Sequence, residues 1–335
     1  MKKYHLILII FLLNGAYTQT VSKTGTTAAQ FLKLGIGSRA LAVGGAFTAI
    51  ANDASALYWN PAGLSIINKN QILLDHYDWI LDVDLDFIGI VIPIKQIGTI
   101  GIALNYLHMG EMDVTTTHQP EGTNEKFSSS SYSGQISYSK KLTNRFSTGL
   151  TLKYIQENIY NSSAKGVAVD LGTLYQTQIP GLVMGMSISN YGSKMKMSGR
   201  DLLIQAEIDP TLESDPNNIN ANFSTEKFDL PLIFRFGLAW NKHLSNSIQT
   251  TFALDALHPN DNTESINLGT EITYKNFIFL RGGWKNLFQR DSEEGLTLGI
   301  GIILRLGSGK YLFDYTYSDF GLLGSPQKIS IGLSF

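Results

Sequence analysis

The chain has 335 residues and a formal net charge of −2, and only 16% of it is charged, against roughly 25% in a typical soluble domain. It holds 32 glycines, 15 tyrosines and 17 phenylalanines but no cysteine, which excludes disulfides, thiolate metal sites, a cysteine nucleophile and a lipid-anchored N-terminal cysteine. No basic block is present to draw it to nucleic acid.

The N-terminus, "MKKYHLILIIFLLNGAYTQT", has the layout of a secretory signal peptide: Lys2 and Lys3, then an apolar run from Leu6 to Leu13, then small residues at Gly15, Ala16 and Thr18. Residues 1–19 are assigned to it, because the apolar run is too short for a spanning helix. Beyond it, no stretch approaches the roughly 20 apolar residues a spanning helix needs. Low charge with many aromatics and glycines therefore points to strands that hide their hydrophobicity by alternation, as in a membrane β-barrel.

Residues 20–69 form a separate N-terminal segment. Within it, "KLGIGSRALAVGGAFTAIANDASALYWNPAGL" (Lys33 to Leu64) contains Gly35-x-Gly37-x-x-Ala40, the spacing of a dinucleotide-binding fingerprint, with Asp53 downstream. The context is wrong for that chemistry. A true fingerprint follows a buried strand and opens a crossover helix, whereas "TTAAQFLKL" precedes this one and Gly44-Gly45 interrupts it within a few residues.

From about residue 70 the chain alternates with period two, the spacing at which the two faces of a strand differ. Leu296, Leu298, Ile300, Ile302, Leu304 and Leu306 share one face, with Thr297, Gly299, Gly301 and Arg305 on the other. Such segments are expected at 70–80, 84–94, 97–108, 129–140, 145–158, 164–177, 181–192, 230–242, 245–257, 264–275, 277–287, 294–306, 309–319 and 325–335. Fourteen is an even number, as a single-chain bacterial barrel requires. Turns after even-numbered segments are short, such as "KLTN" and "GSG", while 109–128 and 191–229 follow odd-numbered ones, so one end of the barrel carries the long loops. The second face of these segments is mostly Gly, Ser, Thr and Ala, which suits a crowded polar lumen inside and lipid outside. The expected fold is an all-β, fourteen-stranded antiparallel transmembrane barrel over residues 70–335, with outer-membrane lipid as its surroundings.

The last segment ends on Phe335, outward in phase with Ile329, Ile331 and Leu333. A terminal aromatic on an alternating strand resembles the C-terminal signal read by the barrel assembly machinery. Charges projected into the lumen are Lys153, Asp170, Arg235, Asp255, Glu271, Arg305 and Asp314. Their mixed signs fit either paired networks that stiffen the barrel or a charged transport path. Asp82, Asp84 and Asp86 line one face near the first outer loop, as a solvated rim or an oxygen-ligand cation site. The six histidines show no zinc spacing and no G-x-S-x-G elbow occurs, so no catalytic group, cofactor or metal is assigned.

With these elements assembled, Gly25 to Leu64 closely resembles the N-terminal signature of the PorV/PorQ family, outer-membrane barrels related to FadL-type transporters of hydrophobic compounds. The signature positions here are Gly37, Arg39, Gly44, Gly45, Asp53, Ala54, Trp59, Asn60, Pro61 and Gly63. Val43 stands where Met or a similar residue is expected. The resemblance implies that these residues build a plug in or under the lumen of a fourteen-stranded barrel. It also implies a non-enzymatic role in type IX secretion, with cargo and attachment-complex proteins as partners, in the outer membrane of a Gram-negative bacterium after Sec-type export. The FadL branch, which takes hydrophobic molecules inward, is the alternative.

Overall fold

The computed structural model describes residues 23–206, 219–289 and 292–335. The expected signal peptide, residues 1–19, lies outside the described residues. Fourteen strands form the wall: β1 (Gln71–Asp78), β2 (Val83–Ile94), β3 (Gly98–Met109), β4 (Ser129–Lys141), β5 (Phe146–Ile159), β6 (Ser162–Gln176), β7 (Leu182–Gly192), β8 (Ile233–His243), β9 (Ile248–Pro259), β10 (Ser265–Tyr274), β11 (Ile278–Leu287), β12 (Leu296–Leu306), β13 (Gly309–Ser318) and β14 (Gln327–Ser334). Each pairs antiparallel with its neighbours in chain order. The ring closes where β1 meets β14, from Gln71↔Ser334 to Asp78↔Gln327. Closure leaves no strand edge unpaired, the condition for a sheet to cross hydrocarbon. All fourteen segments expected from the alternation are present, with ends displaced by no more than three residues.

Outward positions carry the apolar set. Ile102, Ile136, Leu152, Phe252, Leu280 and Leu298 are exposed because no protein covers them among the described residues, which is the lipid-facing band of a barrel. Short turns join the strands at one end, and the long connections, including short two-stranded ladders such as Leu203–Ala206 with Ile219–Asn222, gather at the other. The wall bulges twice, between β6 and β7 at Val169/Leu171 and between β10 and β11 at Ile266/Leu268. Pairing resumes on both sides of each bulge, so the wall stays continuous.

The hydrophobic core lies inside the ring and comes mainly from the N-terminal segment: Ile36, Ala40, Phe47, Leu57, Trp59 and Leu64 are wholly or almost wholly buried. Two short helices, α1 (Ser38–Ala42) and α2 (Ala56–Trp59), precede a 3₁₀ turn at Pro61–Ile66. That last turn starts where it does because Pro61 has no N–H to lose at the first position and the Asn60 side chain accepts from Ala62 N at 3.1 Å. The segment runs the length of the lumen. Thr27 bridges Asp229 at the long-loop end, and Pro61 and Ala62 pack on Gly149 and Gly172 near the short turns.

Candidate functional site

A short irregular segment inside a barrel leaves backbone groups that must find partners, and inward wall side chains supply them. Asp255 accepts from Phe47 N at 3.0 Å and Thr48 N at 2.9 Å. Asp75 accepts from Gly37 N at 2.9 Å, Thr297 Oγ1 from Gly44 N at 3.0 Å and Ser330 Oγ from Ser38 N at 2.6 Å. Lys328 Nζ donates to Gly35 O at 2.6 Å while lying 2.8 Å from Asp75 Oδ2. Within the segment, Trp59 Nε1 donates to Ile36 O at 2.7 Å, and Asn60 Nδ2 reaches both Thr48 O and Thr173 O.

The inward glycines have the same cause. A Cβ on Gly283 would strike the backbone of Val43 and Gly44, and Gly44 itself has φ 68° with strand backbone on its other side. Segment and wall touch backbone to backbone there, which only glycine allows. The second face of the strands is thus small because it is filled.

Arg39 sits at the middle of a charged network. Its Nε and Nη2 bond the two Glu271 oxygens at 2.9 and 3.0 Å, and Nη1 reaches Asp53 Oδ2 at 2.9 Å. Burial alone would lower its proton affinity, but Glu271 and Asp53 outweigh that and hold the guanidinium charged. Arg281 Nε also bonds Glu271 at 2.7 Å and its Nη1 bonds Asp314. On the opposite wall Lys153 Nζ lies 2.6 Å from Asp170 Oδ2 but donates its aligned hydrogen bond to Asn190 Oδ1 at 2.9 Å. Asp170 Oδ1 in turn accepts from Asn190 N at the bulge.

Of the residues singled out in the sequence, Lys153, Asp170, Arg235, Asp255, Glu271 and Asp314 are buried inside the ring. Arg305 is exposed, because it lies one residue from the end of β12 and opens on the mouth at the short-turn end. Asp84 and Asp86 lie on the outer wall, where Asp86 bonds His76 and His108. Among the described residues no group of three or more His, Asp or Glu is arranged to hold a metal. Phe335 is exposed beside the start of β1, with its N–H on Asn70 O. The sequence reading missed Asp75, Arg281 and Lys328. Lys328 and Arg281 were in phase with their inward neighbours Ser330 and Gly283, whereas Asp75 was masked by the outward polar residue His76 next to it.

Among the described residues, cavities open on the lumen at both mouths: two adjoining ones at the short-turn end, which share Arg39 and Asn52, and one at the long-loop end, which shares no lining residue with either. The larger short-turn cavity, about 380 Å³, is lined by polar groups around Arg39, Arg281 and Lys310. The long-loop cavity is larger, about 510 Å³, with a floor of Phe31, Tyr58, Trp59 and Trp79 and a rim of Lys33, Asn262 and Glu294. Arg235 lines it as well, buried, with its guanidinium 5.8 and 5.5 Å from the Tyr58 and Trp59 ring centroids. Its Nη1 donates to Ser189 Oγ, its Nε has no partner, and no carboxylate lies within ion-pair distance among the described residues. Burial pushes the Tyr58 phenol up, so it stays neutral and donates to Leu32 O at 3.0 Å.

Residues 17–211, more than half of the chain, match the family described as type IX secretion system protein PorV. No curated protein sequence matches. Among solved structures, the chain is similar to the Pseudomonas putida toluene transporter TodX (14% identity, TM-score 0.56, covering 90% of this chain and 97% of that one). It is also similar to a Pseudomonas aeruginosa FadL homologue (13% identity, TM-score 0.51, covering 88% and 96%). At these identities the likeness is one of fold, a FadL-like barrel.

Proposed function

We propose, from the premise that this chain belongs to the PorV family of type IX secretion system proteins, that it is a non-enzymatic component or shuttle of type IX secretion and surface attachment. Its fold and its barrel relatives support an outer-membrane location. In such barrels the short turns face the periplasm and the long loops face outward. In that orientation the loops and the 510 Å³ cavity are presented to secreted proteins.

The observation that carries this reading is the filled lumen. Residues 35–64 are bonded to the wall at Asp75, Asp255, Thr297, Lys328 and Ser330, and among the described residues no cavity lining reaches from one mouth to the other. Binding at the outer mouth fits this arrangement better than passage through it. The alternative is a FadL-like transporter of hydrophobic small molecules. Its support is the aromatic floor of the outer cavity and the fold shared with the toluene transporter. The charged, bonded lumen and the unbroken wall weigh against it.

The test is affinity capture of the full chain from detergent-solubilised outer membrane, with mass spectrometry of its partners, beside secretion in a deletion strain. Recovery of type IX cargo or attachment proteins and loss of secretion are expected. Normal secretion in the deletion strain would overturn the proposal.

A further inference from the structure

The charges at the two ends of the barrel are sorted by sign. Among the described residues, the long-loop connections carry thirteen Asp and Glu against five Lys and Arg. The short turns, the strand ends beside them and Lys69 just before β1 carry nine Lys and Arg and no Asp or Glu. None of those nine cations has a carboxylate within ion-pair distance among the described residues. A net charge of −2 conceals this partition.

The cations are also spread around the circumference. Lys95 stands on the β2–β3 turn, Lys140, Lys141 and Arg145 flank the β4–β5 turn, and Lys242 and Lys275 open the β8–β9 and β10–β11 turns. Two of them show at what depth they sit. Lys242 Nζ lies 5.3 Å from the Trp240 ring centroid, and Lys275 Nζ lies 5.3 Å from that of Tyr274. Both rings are exposed on the outer wall. Trp and Tyr at strand ends mark the water–lipid boundary, and a lysine whose stem lies along such a ring holds its ammonium at headgroup level.

We propose that the short-turn rim is a collar that binds the phosphate headgroups of anionic phospholipids. The proposal rests on the orientation given above, short turns toward the periplasm, which places the collar against the phospholipid leaflet of the outer membrane. A leaflet surrounds the barrel, and the cations stand at five of its six short turns, the β6–β7 turn carrying none; Lys141, Arg145, Arg305 and Lys310 line the mouth and the others stand outside it. A docked protein would meet the barrel on one side and would call for a cluster. Each cation near an anionic surface is worth about fivefold in binding, and salt screens the attraction.

The test uses the full chain in neutral detergent, incubated with equal amounts of phosphatidylglycerol and phosphatidylcholine, with retained lipids counted by native mass spectrometry. Phosphatidylglycerol is expected to be retained at least about fivefold over phosphatidylcholine at low salt, with the preference falling toward parity near 1 M salt. A variant with Lys95, Lys140, Lys141, Arg145, Lys242 and Lys275→Gln is expected to lose the preference, and the five Lys→Arg changes to keep it. Parity in the native chain, or a preference that survives high salt or the Gln variant, would overturn the collar. So would capture of an acidic periplasmic protein by the rim without any lipid preference. Should the Gln variant not fold, the salt titration of the native chain decides alone. Asn144→Cys tests the orientation separately, because labelling of the variant in intact cells by an impermeant thiol reagent would overturn the orientation whatever lipid is retained.

Discussion

Lys328 and Asp75 face each other at the β1–β14 seam, 2.8 Å apart, with both side chains 1% exposed. In Lys328→Met, Asp75 keeps the Gly37 N–H and the Ser330 hydroxyl but loses its counter-charge, and Gly35 O loses its donor. Removing one partner of a buried pair costs about 3–5 kcal/mol. The two surviving donors put this case at the lower end, about 3 kcal/mol. Asp75→Leu alone should cost a similar amount, since it strands a buried ammonium. In the double variant no charge is left to desolvate, and the losses are the acceptor for Gly37 N and the donor to Gly35 O, together about 3 kcal/mol. The singles should therefore sum to roughly 6 kcal/mol and the double should cost about half of that. Equilibrium urea unfolding in phospholipid vesicles, followed by tryptophan fluorescence, measures all four corners of the cycle. Strict additivity, or single losses below about 1 kcal/mol, would refute the claim that this pair ties segment to wall.

Asp261 accepts from Thr27 and Gln30 and pairs with Lys33, holding residues 27–33 at the outer mouth. Burial alone would raise its pKa, but those hydrogen bonds and the lysine outweigh it, so the carboxyl titrates below its usual 3.8. The stability it gives is full above 3.8 and is lost as pH falls through the lower folded value; protease protection of residues 23–34 should follow that course, and Asp261→Asn should remove the dependence. Gly283→Ala forces a methyl into the Val43–Gly44 backbone and should cost about 1–3 kcal/mol or more, read as faster hydrogen exchange over 38–48 in a barrel that still shows heat-modifiable gel mobility. Phe335→Ser should leave less of the chain in the folded, heat-modifiable form in the outer membrane. An unchanged folded fraction would remove its assembly role.

The wall was legible in the sequence because it obeys one rule. Outward residues such as Leu296 to Leu306 must be apolar at every second position, and that period survives without knowledge of any neighbour. The lumen was half legible. Lys153, Asp170 and Glu271 stand out as charges in phase with small residues, but nothing local says that Glu271 is shared by Arg39 and Arg281. Arg281 faces Glu271 across the β10–β11 hairpin, 10 residues away, but Arg39 is 232 residues away, and only the seating of the N-terminal segment inside the ring brings it there. The glycines were the most ambiguous signal. Glycine at Gly283 or Gly149 reads as a bare lumen wall until the segment that touches it is seen. The sorting of charge between the two ends becomes visible only once strand parity assigns each loop to an end.

Several of the groups that hold the N-terminal segment stand far from it along the chain, on β12 and β14. Ser38 waits for Ser330 across 292 positions and Gly35 O waits for Lys328 across 293, while Gly44 waits for Thr297. Residues 35–44 therefore cannot settle fully until β12 and β14 have arrived, and the seam that seats them is the seam that closes the ring. Filling and closing are one event. A chain truncated before β14 would lack both its final ladder and the seat for its first forty residues, so an unfinished barrel betrays itself by a loose N-terminus that proteases and chaperones can still grasp.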